Sequence, residues 1–321
     1  MTALSIIIPT YNRLWALPKA IESIRATKNL HEIIVVDDGS TDGTSDWLAQ
    51  QSDIVAVRTE NWGKDWAVNR GFAMARGTYV RFLDSDDWLE TDANDAQLEI
   101  ALNEQADIVT AGYRTYDDRT DAWVEAPWVH CDDFIAQQLG EVQSGHYSAF
   151  LFRREFIADL PHRPEFLAND DRMFILEAAL RHPRVASWDR FALIHRHHGR
   201  GRLQAPTSSE VVPVLLAELK IYRKVYRVLA ARGELTARRG RAAPSARLRS
   251  LAFEIARYDL DEAVRVFDWM RELDPAFVMP GSGLVPTLCR SLGFRRTAQL
   301  LRLRRRLLAP FRAWRRAQAG A

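Results

Sequence analysis

The sequence Tyr79-Val80-Arg81-Phe82-Leu83-Asp84-Ser85-Asp86-Asp87 decides the fold, because a strand pattern runs directly into an acidic turn. The run from Tyr79 to Leu83 predicts a strand buried in a sheet. Asp84 and Asp86 follow it one residue apart. Two carboxylates at this spacing can share a divalent cation such as Mg²⁺ or Mn²⁺, which prefers oxygen ligands. A solvated acidic turn that caps a helix at Trp88 is the alternative interpretation.

Two further buried strands end in polar residues in the same way. Leu4 to Pro9 is followed by Thr10-Tyr11-Asn12, and Glu32 to Val36 is followed by Asp37-Asp38. Helices are predicted over residues 14–26, 65–75 and 92–105, and further strands over residues 53–58 and 107–112. This alternation predicts an α/β fold with a mostly parallel sheet. Ligands bind at the carboxyl ends of such strands, so the three polar clusters are expected to form one site.

The small net charge of +2 over 321 residues conceals two regions of opposite charge. Residues 1–130 hold 22 acidic and 11 basic residues, a net of −11, whereas residues 281–321 hold ten arginines and no acid. The acidic N-terminal region (the acidic front, residues 1–130) and the basic C-terminal region are therefore expected to have different functions. The composition, with 47% hydrophobic and 27% charged residues, excludes disordered proteins, collagens and coiled-coil rods.

No feature of the sequence indicates export or insertion into a membrane. The start, Met1-Thr2-Ala3-Leu4, lacks the basic region of a signal peptide, and the longest apolar runs are far shorter than the about 20 residues that span a bilayer. Cys131 and Cys289 lie far apart, which is typical of a reducing compartment. We therefore expect the protein in the cytoplasm, attached at the inner face of the plasma membrane if its tail binds there.

Blocks of sequence in the first 90 residues resemble the inverting family 2 glycosyltransferases, which have the Rossmann-like GT-A fold. The matching blocks are Ser5–Arg13, Val35–Thr44, Asn61-x-Gly63 with Ala67-x-Asn69-x-Gly71, and Ala75–Asp87. The resemblance thins over residues 110–200 and is absent from the last third. It implies transfer of a sugar from a nucleotide-diphosphate donor, a UDP-sugar, with Mn²⁺ or Mg²⁺. The acceptor would be a saccharide or lipid-linked molecule in cell-surface polysaccharide or glycoconjugate synthesis.

The resemblance also implies roles for individual residues. The nucleotide pocket would comprise Pro9, Thr10, Tyr11, Asp38, Asp84 and Ser85. Within it Asp38 would bind the base and Asp84 the ribose, while Asp86 would hold the metal that bridges the diphosphate. One position departs from the family pattern, because Val68 stands where members often have Arg. The missing contact is expected to come from Lys64 or Arg70.

A carboxylate is needed to deprotonate the acceptor hydroxyl as it attacks the anomeric carbon. In the family this base belongs to a Glu-Asp pair at the start of a helix, and residues 167–174 match it best. Asn169 replaces the Glu, and Asp170 falls on the catalytic Asp. Asp171 is the alternative base. A structural interpretation stays open, in which Asn169 or Asp170 only caps a helix over residues 171–181.

A basic cluster, His195-Arg196-His197-His198, follows the strand-like run from Phe191 to Ile194. Adjacent residues of a strand point to opposite faces, so these histidines cannot all hold one metal. The family has a basic stretch here that folds over the donor phosphates, which implies diphosphate contacts by Arg196 and His198. A surface basic loop is the alternative.

The sequence predicts a glycosyltransferase domain over residues 1–205, a C-terminal helical extension over 206–289 and a basic amphipathic tail over 290–321. Helices are predicted over residues 211–231, 246–258 and 260–273. The tail mixes leucines and aromatic residues with arginines, which fits an anionic membrane surface. Docking onto the protein's own acidic domain or onto a partner are the alternatives. No nucleic acid is expected, since no nucleic-acid-binding fold accompanies the arginines.

Two other functions compete with sugar transfer. A sugar-phosphate nucleotidyltransferase can share a similar sheet, but that class expects a glycine-rich basic loop after the first strand, where this chain has Pro9-Thr10-Tyr11-Asn12. A catalytically inactive nucleotide-sugar-binding homologue is the alternative that is not an enzyme. The Asp84/Asp86 pair and Asp170 argue against it.

Overall fold

The computed structural model describes residues 2–200 and 211–319. The chain divides into two compact units: Met1–Gln138 with Val142–Ala205, and Leu139–Glu141 with Pro206–Ala321. The predicted boundary between residues 205 and 206 lies outside the described residues. The predicted domain limits stay a prediction.

The first unit is built on one sheet, which has nine strands in the described residues and the order β3-β2-β1-β4-β8-β6-β9-β5, with β7 paired to β6. The strands are β1 (Leu4–Thr10), β2 (His31–Asp37), β3 (Ile54–Arg58), β4 (Tyr79–Phe82), β5 (Trp88–Leu89), β6 (Ile108–Asp117), β7 (Ala122–Ala126), β8 (Leu151–Arg153) and β9 (Val185–His197). The helices of this unit are α1 (Leu17–Arg25), α2 (Thr44–Leu48), α3 (Lys64–Met74), α4 (Ala93–Asn103), α5 (Phe134–Leu139) and α6 (Asp170–Ala179). The predicted α/β class is therefore confirmed.

The parallel half of the sheet holds the apolar core. All seven residues of β1 are buried, because the strand lies between β2 and β4 and pairs with both in parallel. Thr10 is opposite Asp37, and the N–H of Leu83 donates to the carbonyl of Ile7 at 2.9 Å. The polar ends of β1, β2 and β4 consequently lie at one edge of the sheet, as the strand patterns indicate.

A close backbone approach fixes the start of β4 against β1. The N–H of Gly77 donates to Ser5 Oγ at 2.8 Å. A Cβ at position 77 would lie 2.5 Å from the backbone nitrogen of Ser5, which is too close for any side chain. Glycine is therefore required by packing at this position.

The second half of the sheet contains antiparallel strands that the sequence does not predict. β8 is antiparallel to both β4 and β6, and β9 runs parallel to β6 for most of its length. A fully buried arginine, Arg81, joins these elements. Its guanidinium donates to Asn94 Oδ1 at 2.8 Å, to the Ser148 carbonyl at 2.9 Å, and to Gln97 Oε1. A side chain of β4 thereby links α4 to the segment before β8.

The start of α2 is stabilised by an aspartate just upstream of the helix. The helix begins at Thr44, and its N-cap is Gly43, with φ of 88°. Asp42 accepts the backbone N–H of Thr44 at 3.1 Å. The aspartate thus satisfies one of the N–H groups at the start of the helix that have no partner within it.

The second unit is helical, and its helices are α7 (Val211–Ala231), α8 (Ala237–Ala243), α9 (Arg249–Ile255), α10 (Leu260–Leu273) and α11 (Leu284–Ala319). Residues Pro244–Leu248 form a wider helical turn between α8 and α9. The predicted helix over residues 246–258 is therefore correct in type, but it ends at Ile255, and its first three residues belong to the wider turn. None of the described helices is long and apolar enough to cross a membrane.

The basic tail belongs to α11, which is broken at Gly293, where φ is 79°. Just after the break, Phe294 stacks on Phe267 with ring centroids 4.4 Å apart, and Arg295 pairs with Asp261 at 2.8 Å. Beyond this anchor the helix exposes leucines at helical spacing: Leu300, Leu303 and Leu307. The side chains of Phe311 and Trp314 lie outside the described residues.

Candidate active site

The acidic turn after β4 meets a lysine from the start of α3. Lys64 Nζ lies 2.7 Å from Asp84 Oδ1. Burial by itself would raise the pKa of the Asp84 carboxyl, but the charge of Lys64 and its hydrogen bond outweigh burial and lower the pKa. Val68 on the same helix is buried and Arg70 is exposed. Of the two cations expected to replace an arginine at position 68, Lys64 is therefore the one in contact with the acidic turn.

Asp86 points to the basic cluster at the end of β9. Its Oδ2 lies 3.0 Å from His198 Nε2 and 3.4 Å from Arg13 Nε. His198 also accepts the backbone N–H of Arg200 through Nδ1 at 3.2 Å. The edge of His198 lies against Trp15, with ring centroids 4.9 Å apart. A carboxylate and an imidazole from distant parts of the sequence are thus adjacent at this edge of the sheet.

The third aspartate of the turn, Asp87, anchors β9. It is 1% exposed, accepts the backbone N–H of Arg196 at 2.8 Å, and lies 3.0 Å from His195 Nδ1. The Arg196 side chain bonds Asp118 at 2.9 Å and lies over the rings of Trp15 and Trp88. The guanidinium of Arg196 is thus held between two rings and a carboxylate.

The residues predicted for the nucleotide pocket lie at the ends of β1, β2 and β4. Thr10 and Ser85 are buried, and Pro9 is buried as part of β1, whereas Tyr11 is 44% exposed. Asp38 is 4% exposed and accepts the backbone N–H groups of Trp62 at 2.8 Å and Gly63 at 2.9 Å. Its carboxylate therefore shapes the loop that leads into α3.

An open cleft of about 650 Å³ adjoins these residues. Its lining consists of Asn12, Arg13, Leu14, Trp15, Thr41, Asp42 and Arg200. The guanidinium of Arg200 lies 4.4 Å from the centre of the Trp15 ring. The cleft thus combines two cations with an aromatic face beside Asp86 and His198.

Asp170 lies at the start of α6 in a buried chain of hydrogen bonds. His162 Nδ1 is 2.7 Å from Asp170 Oδ2, and His162 Nε2 is 2.6 Å from the Tyr147 hydroxyl. Burial alone would raise the pKa of Asp170, but the His162 hydrogen bond and the Lys64 charge hold it below the usual range. The N-cap residue of α6 is Asn169, and its side chain makes no cap bond. Asn169 is therefore not a side-chain cap of this helix, and the role of Asp170 stays a prediction.

Asp171 has a different environment from its neighbour. It is half-buried, whereas Asp170 is 4% exposed. Burial and the charge of Asp170 raise the pKa of Asp171 to about 6, against the opposing charge of Lys64. A carboxyl group of this kind changes protonation near neutral pH, which is the property of a general base.

The sequence does not predict three side chains of this site: Asp65, Trp15 and His162. Asp65 follows Lys64 at the start of α3 and is 9% exposed. His162 lies in an irregular segment, where Asn69 binds its backbone N–H and carbonyl at 2.8 Å each. Asp65 lies between the Asn61-x-Gly63 block and the Ala67-x-Asn69-x-Gly71 block, which the sequence analysis recognises. No recognised motif surrounds His162.

The fold of the first unit is of the GT-A type, as the comparison with solved structures shows. The S. aureus TarS structure, residues 1–349 in complex with UDP-GlcNAc, matches 94% of this chain and 92% of its own with a TM-score of 0.64 and 16% identity. The mannosyltransferase PcManGT from Pyrobaculum calidifontis, in complex with GDP-Man and Mn²⁺, matches 98% of this chain and 84% of its own with a TM-score of 0.52 and 17% identity.

Residues 5–160 match the model of glycosyl transferase family 2, so this segment of the chain belongs to that family. A curated relative, the putative teichuronic acid biosynthesis glycosyltransferase TuaG of Bacillus subtilis (strain 168), is 37% identical over 115 residues, or 34% of this chain and 46% of TuaG. The chain spans less than half the length of the first curated relatives that it matches, 17% of one and 43% of another.

Proposed function

We propose that the protein transfers a sugar from a nucleotide-diphosphate donor to an acceptor hydroxyl, with inversion at the anomeric carbon. The position of Lys64 is the observation that supports this most strongly. Its ammonium pairs with Asp84 at 2.7 Å, and its charge also acts on Asp170 and Asp171. Carboxylates suited to binding the donor and to activating the acceptor therefore surround one cation. Group transfer needs this closeness of the two reacting partners.

For the donor, we propose a UDP-sugar in the pocket formed by Pro9, Thr10, Tyr11, Asp38, Asp84 and Ser85. The exposed Tyr11 ring offers a face on which a base can stack. Arg196 and His198 are proposed to contact the diphosphate, together with Arg13 and Arg200 at the adjoining cleft. The structural neighbours bind UDP-GlcNAc and GDP-Man respectively, so base and sugar vary within this fold.

A divalent metal, Mn²⁺ or Mg²⁺, is proposed between Asp86 and His198. Asp86 Oδ2 and His198 Nε2, which lie 3.0 Å apart, would hold it, because oxygen and imidazole nitrogen are ligands that such ions accept. His198 Nδ1 accepts the Arg200 N–H, so an ion at Nε2 requires the ring proton on Nδ1 and the loss of that bond. When bound, the ion supplies positive charge for the leaving diphosphate.

For the base, the geometry favours Asp171 over the expected Asp170. A base must reach the acceptor hydroxyl and accept its proton near the working pH. Asp170 is buried and bonded to His162, whereas Asp171 is half-buried and has a pKa of about 6. We propose that Asp171 takes the proton and that Asp170 fixes its surroundings.

The acceptor is proposed to be a saccharide or a lipid-linked molecule at an anionic membrane surface. The exposed leucines of α11, Leu300, Leu303 and Leu307, lie on one helix face among arginines, which is the pattern of a helix that binds in the plane of a membrane. A role in cell-surface polysaccharide synthesis is supported by the name of the relative TuaG, which refers to teichuronic acid biosynthesis.

A donor screen tests the proposed function. Purified protein is incubated with UDP- and GDP-sugars and Mn²⁺, and release of the nucleoside diphosphate is measured with and without EDTA. We expect slow release from one donor, abolished by EDTA and by Asp86→Ala. The variant Asp95→Ala, which removes a carboxylate of α4 away from the edge, is the matched control. Release from no donor, or release that EDTA leaves unchanged, contradicts the proposal or its metal respectively.

A further inference from the structure

The interior beside α6 holds three side chains from three separate segments: Asp65, His162 and Asp170. One oxygen or nitrogen atom of each lies within 4.8 Å of the other two, and all three residues are buried. Two carboxylates this close in a buried place cannot both carry a negative charge without a large loss of stability, so one of them is expected to keep a proton. The hydrogen bonds around the cluster indicate which one.

The charge of Asp170, whose pKa lies below the usual range, fixes the roles of the two nitrogens of His162. An ionised carboxylate only accepts hydrogen bonds, so His162 donates from Nδ1 to Asp170 at 2.7 Å. His162 Nε2 then accepts from the Tyr147 hydroxyl at 2.6 Å. Since both nitrogens have partners, the cluster needs no metal ion. The His162 ring is stacked on Phe174, with centroids 4.5 Å apart, and Asn69 holds its backbone.

Asp65 is the third member of the cluster. It is 9% exposed, and its Oδ1 is buried without a hydrogen-bond partner among the described residues. Burial first, and then the hydrogen bond to Asp170 and its charge, raise the pKa of Asp65 to about 8. Asp65 is therefore the carboxyl group that keeps its proton at neutral pH.

We propose that His162 and Asp65 are positioning residues, which together hold Asp170 as a buried ionised carboxylate whose fixed negative charge makes Asp171 the proton acceptor. This inference rests on the proposed sugar transfer. It adds two residues to that proposal, His162 and Asp65. They contact neither donor nor acceptor and act through Asp170.

The charges that face Asp171 come from three elements. Asp170 on its own helix and Asp84 after β4 raise the pKa of Asp171, and Lys64 on α3 lowers it. A variant that leaves Lys64 and Asp84 unchanged and neutralises Asp170 must therefore lower the pKa of Asp171. Transfer requires the ionised base, so the rate falls as the pH drops through that pKa. The acid limb of kcat/KM would then move to lower pH.

Two variants of His162 distinguish a role in positioning Asp170 from a role in packing against Phe174. His162→Phe keeps an aromatic ring on Phe174 and removes the donor, so Asp170 gains a proton and the acid limb moves roughly one pH unit lower, with a reduced rate. His162→Asn places an amide N–H where Nδ1 was and should keep the wild-type limb. An unshifted limb in the folded Phe variant, or an equal shift in both variants, overturns the proposal.

Infrared spectroscopy tests the proton of Asp65 without turnover. At pH 7 the wild type should show the carbonyl band of a buried protonated carboxyl group, which disappears at about pH 8. Asp65→Asn should remove the band, whereas Asp159→Asn, at an exposed carboxylate paired with Arg181, should leave it unchanged. Absence of the band from the wild type overturns the proposal. A wild-type protein that shows the band and transfers no sugar contradicts only the proposed function.

Discussion

At the scale of single residues, two adjacent carboxylates have opposite properties. Asp170 is buried, hydrogen-bonded and held ionised, whereas Asp171 is half-buried with a raised pKa. Sequence position alone cannot distinguish them, because both stand at the start of one helix. The difference comes from His162, which lies eight residues upstream and approaches only one of the two.

The two aspartates predict different outcomes on substitution. Asp171→Asn should lower kcat of transfer by about 10²–10⁴-fold with little change in KM, because it removes general-base catalysis and keeps the shape of the site. In the wild type, kcat/KM should fall as the pH drops below about 6, where Asp171 becomes protonated. A pH–rate profile for each protein, with a donor identified by the screen, measures both effects.

Asp170→Asn provides the comparison. It should also reduce the rate, and in addition it should lower the unfolding midpoint, because His162 loses a charged acceptor in a buried place. If Asp171→Asn keeps the wild-type rate while Asp170→Asn abolishes transfer without loss of stability, Asp170 is the base.

At the scale of elements, the packing of β4 against β1 depends on one glycine. Gly77→Ala places a Cβ 2.5 Å from the Ser5 backbone nitrogen, and a strand in the centre of a sheet cannot move away. We expect a loss of about 1–3 kcal/mol in the free energy of unfolding, measured by urea denaturation. Gly283→Ala is the matched control, because its nearest atom would be 3.9 Å away, and it should change stability by less than about 0.5 kcal/mol. Equal effects from the two variants contradict this account.

The elements that the sequence predicts well are those whose pattern is local. Buried strands such as β1 and β4 appear as apolar runs, and the polar residues that follow them necessarily lie at the carboxyl edge of a parallel sheet. The antiparallel strand β8 has only three residues, too few to establish a period. Asp38 shows another limit, since a sequence cannot reveal that backbone N–H groups of residues 62 and 63 already bind its carboxylate.

Contacts across long sequence separations explain the part of the site that was not predicted. His162 depends on Asn69, Tyr147 and Asp170, which belong to three different segments. The His198 imidazole reaches Asp86 only because β9 pairs with β5 after the acidic turn. Such pairs depend on the complete sheet, so no local signal indicates them.

At the scale of the whole molecule, the charge is distributed unevenly along the chain. The acidic surplus of residues 1–130 includes Asp38, Asp84 and Asp86 of the site, and the ten arginines of residues 281–321 all lie on α11. The near-neutral total is therefore no guide to what the protein binds. An anionic surface would attract the tail and repel the acidic front.

The proposed membrane attachment has a direct test in vesicle flotation. Full-length protein should bind vesicles that contain phosphatidylserine and should not bind phosphatidylcholine vesicles. Replacing Arg302 and Arg304 by Gln should weaken binding roughly thirty-fold at low salt, at about 1 kcal/mol per basic residue. Replacing Arg25 and Arg181, which pair with acids in the first unit, is the charge-matched control. Binding that survives the tail substitutions, or that ignores salt, contradicts attachment by α11.

The buried guanidinium of Arg81 has a consequence for how the first unit assembles. Its hydrogen bonds need Asn94 and Gln97 from α4 and also the Ser148 carbonyl from a segment more than fifty residues further along the chain. A shorter fragment that ends after α4 would bury a cation with an acceptor missing, which is strongly unfavourable. The segment from β1 to α4 should therefore not fold ahead of the segment that contains Ser148. The two segments are expected to form in one cooperative transition, so that neither persists as a partly folded intermediate.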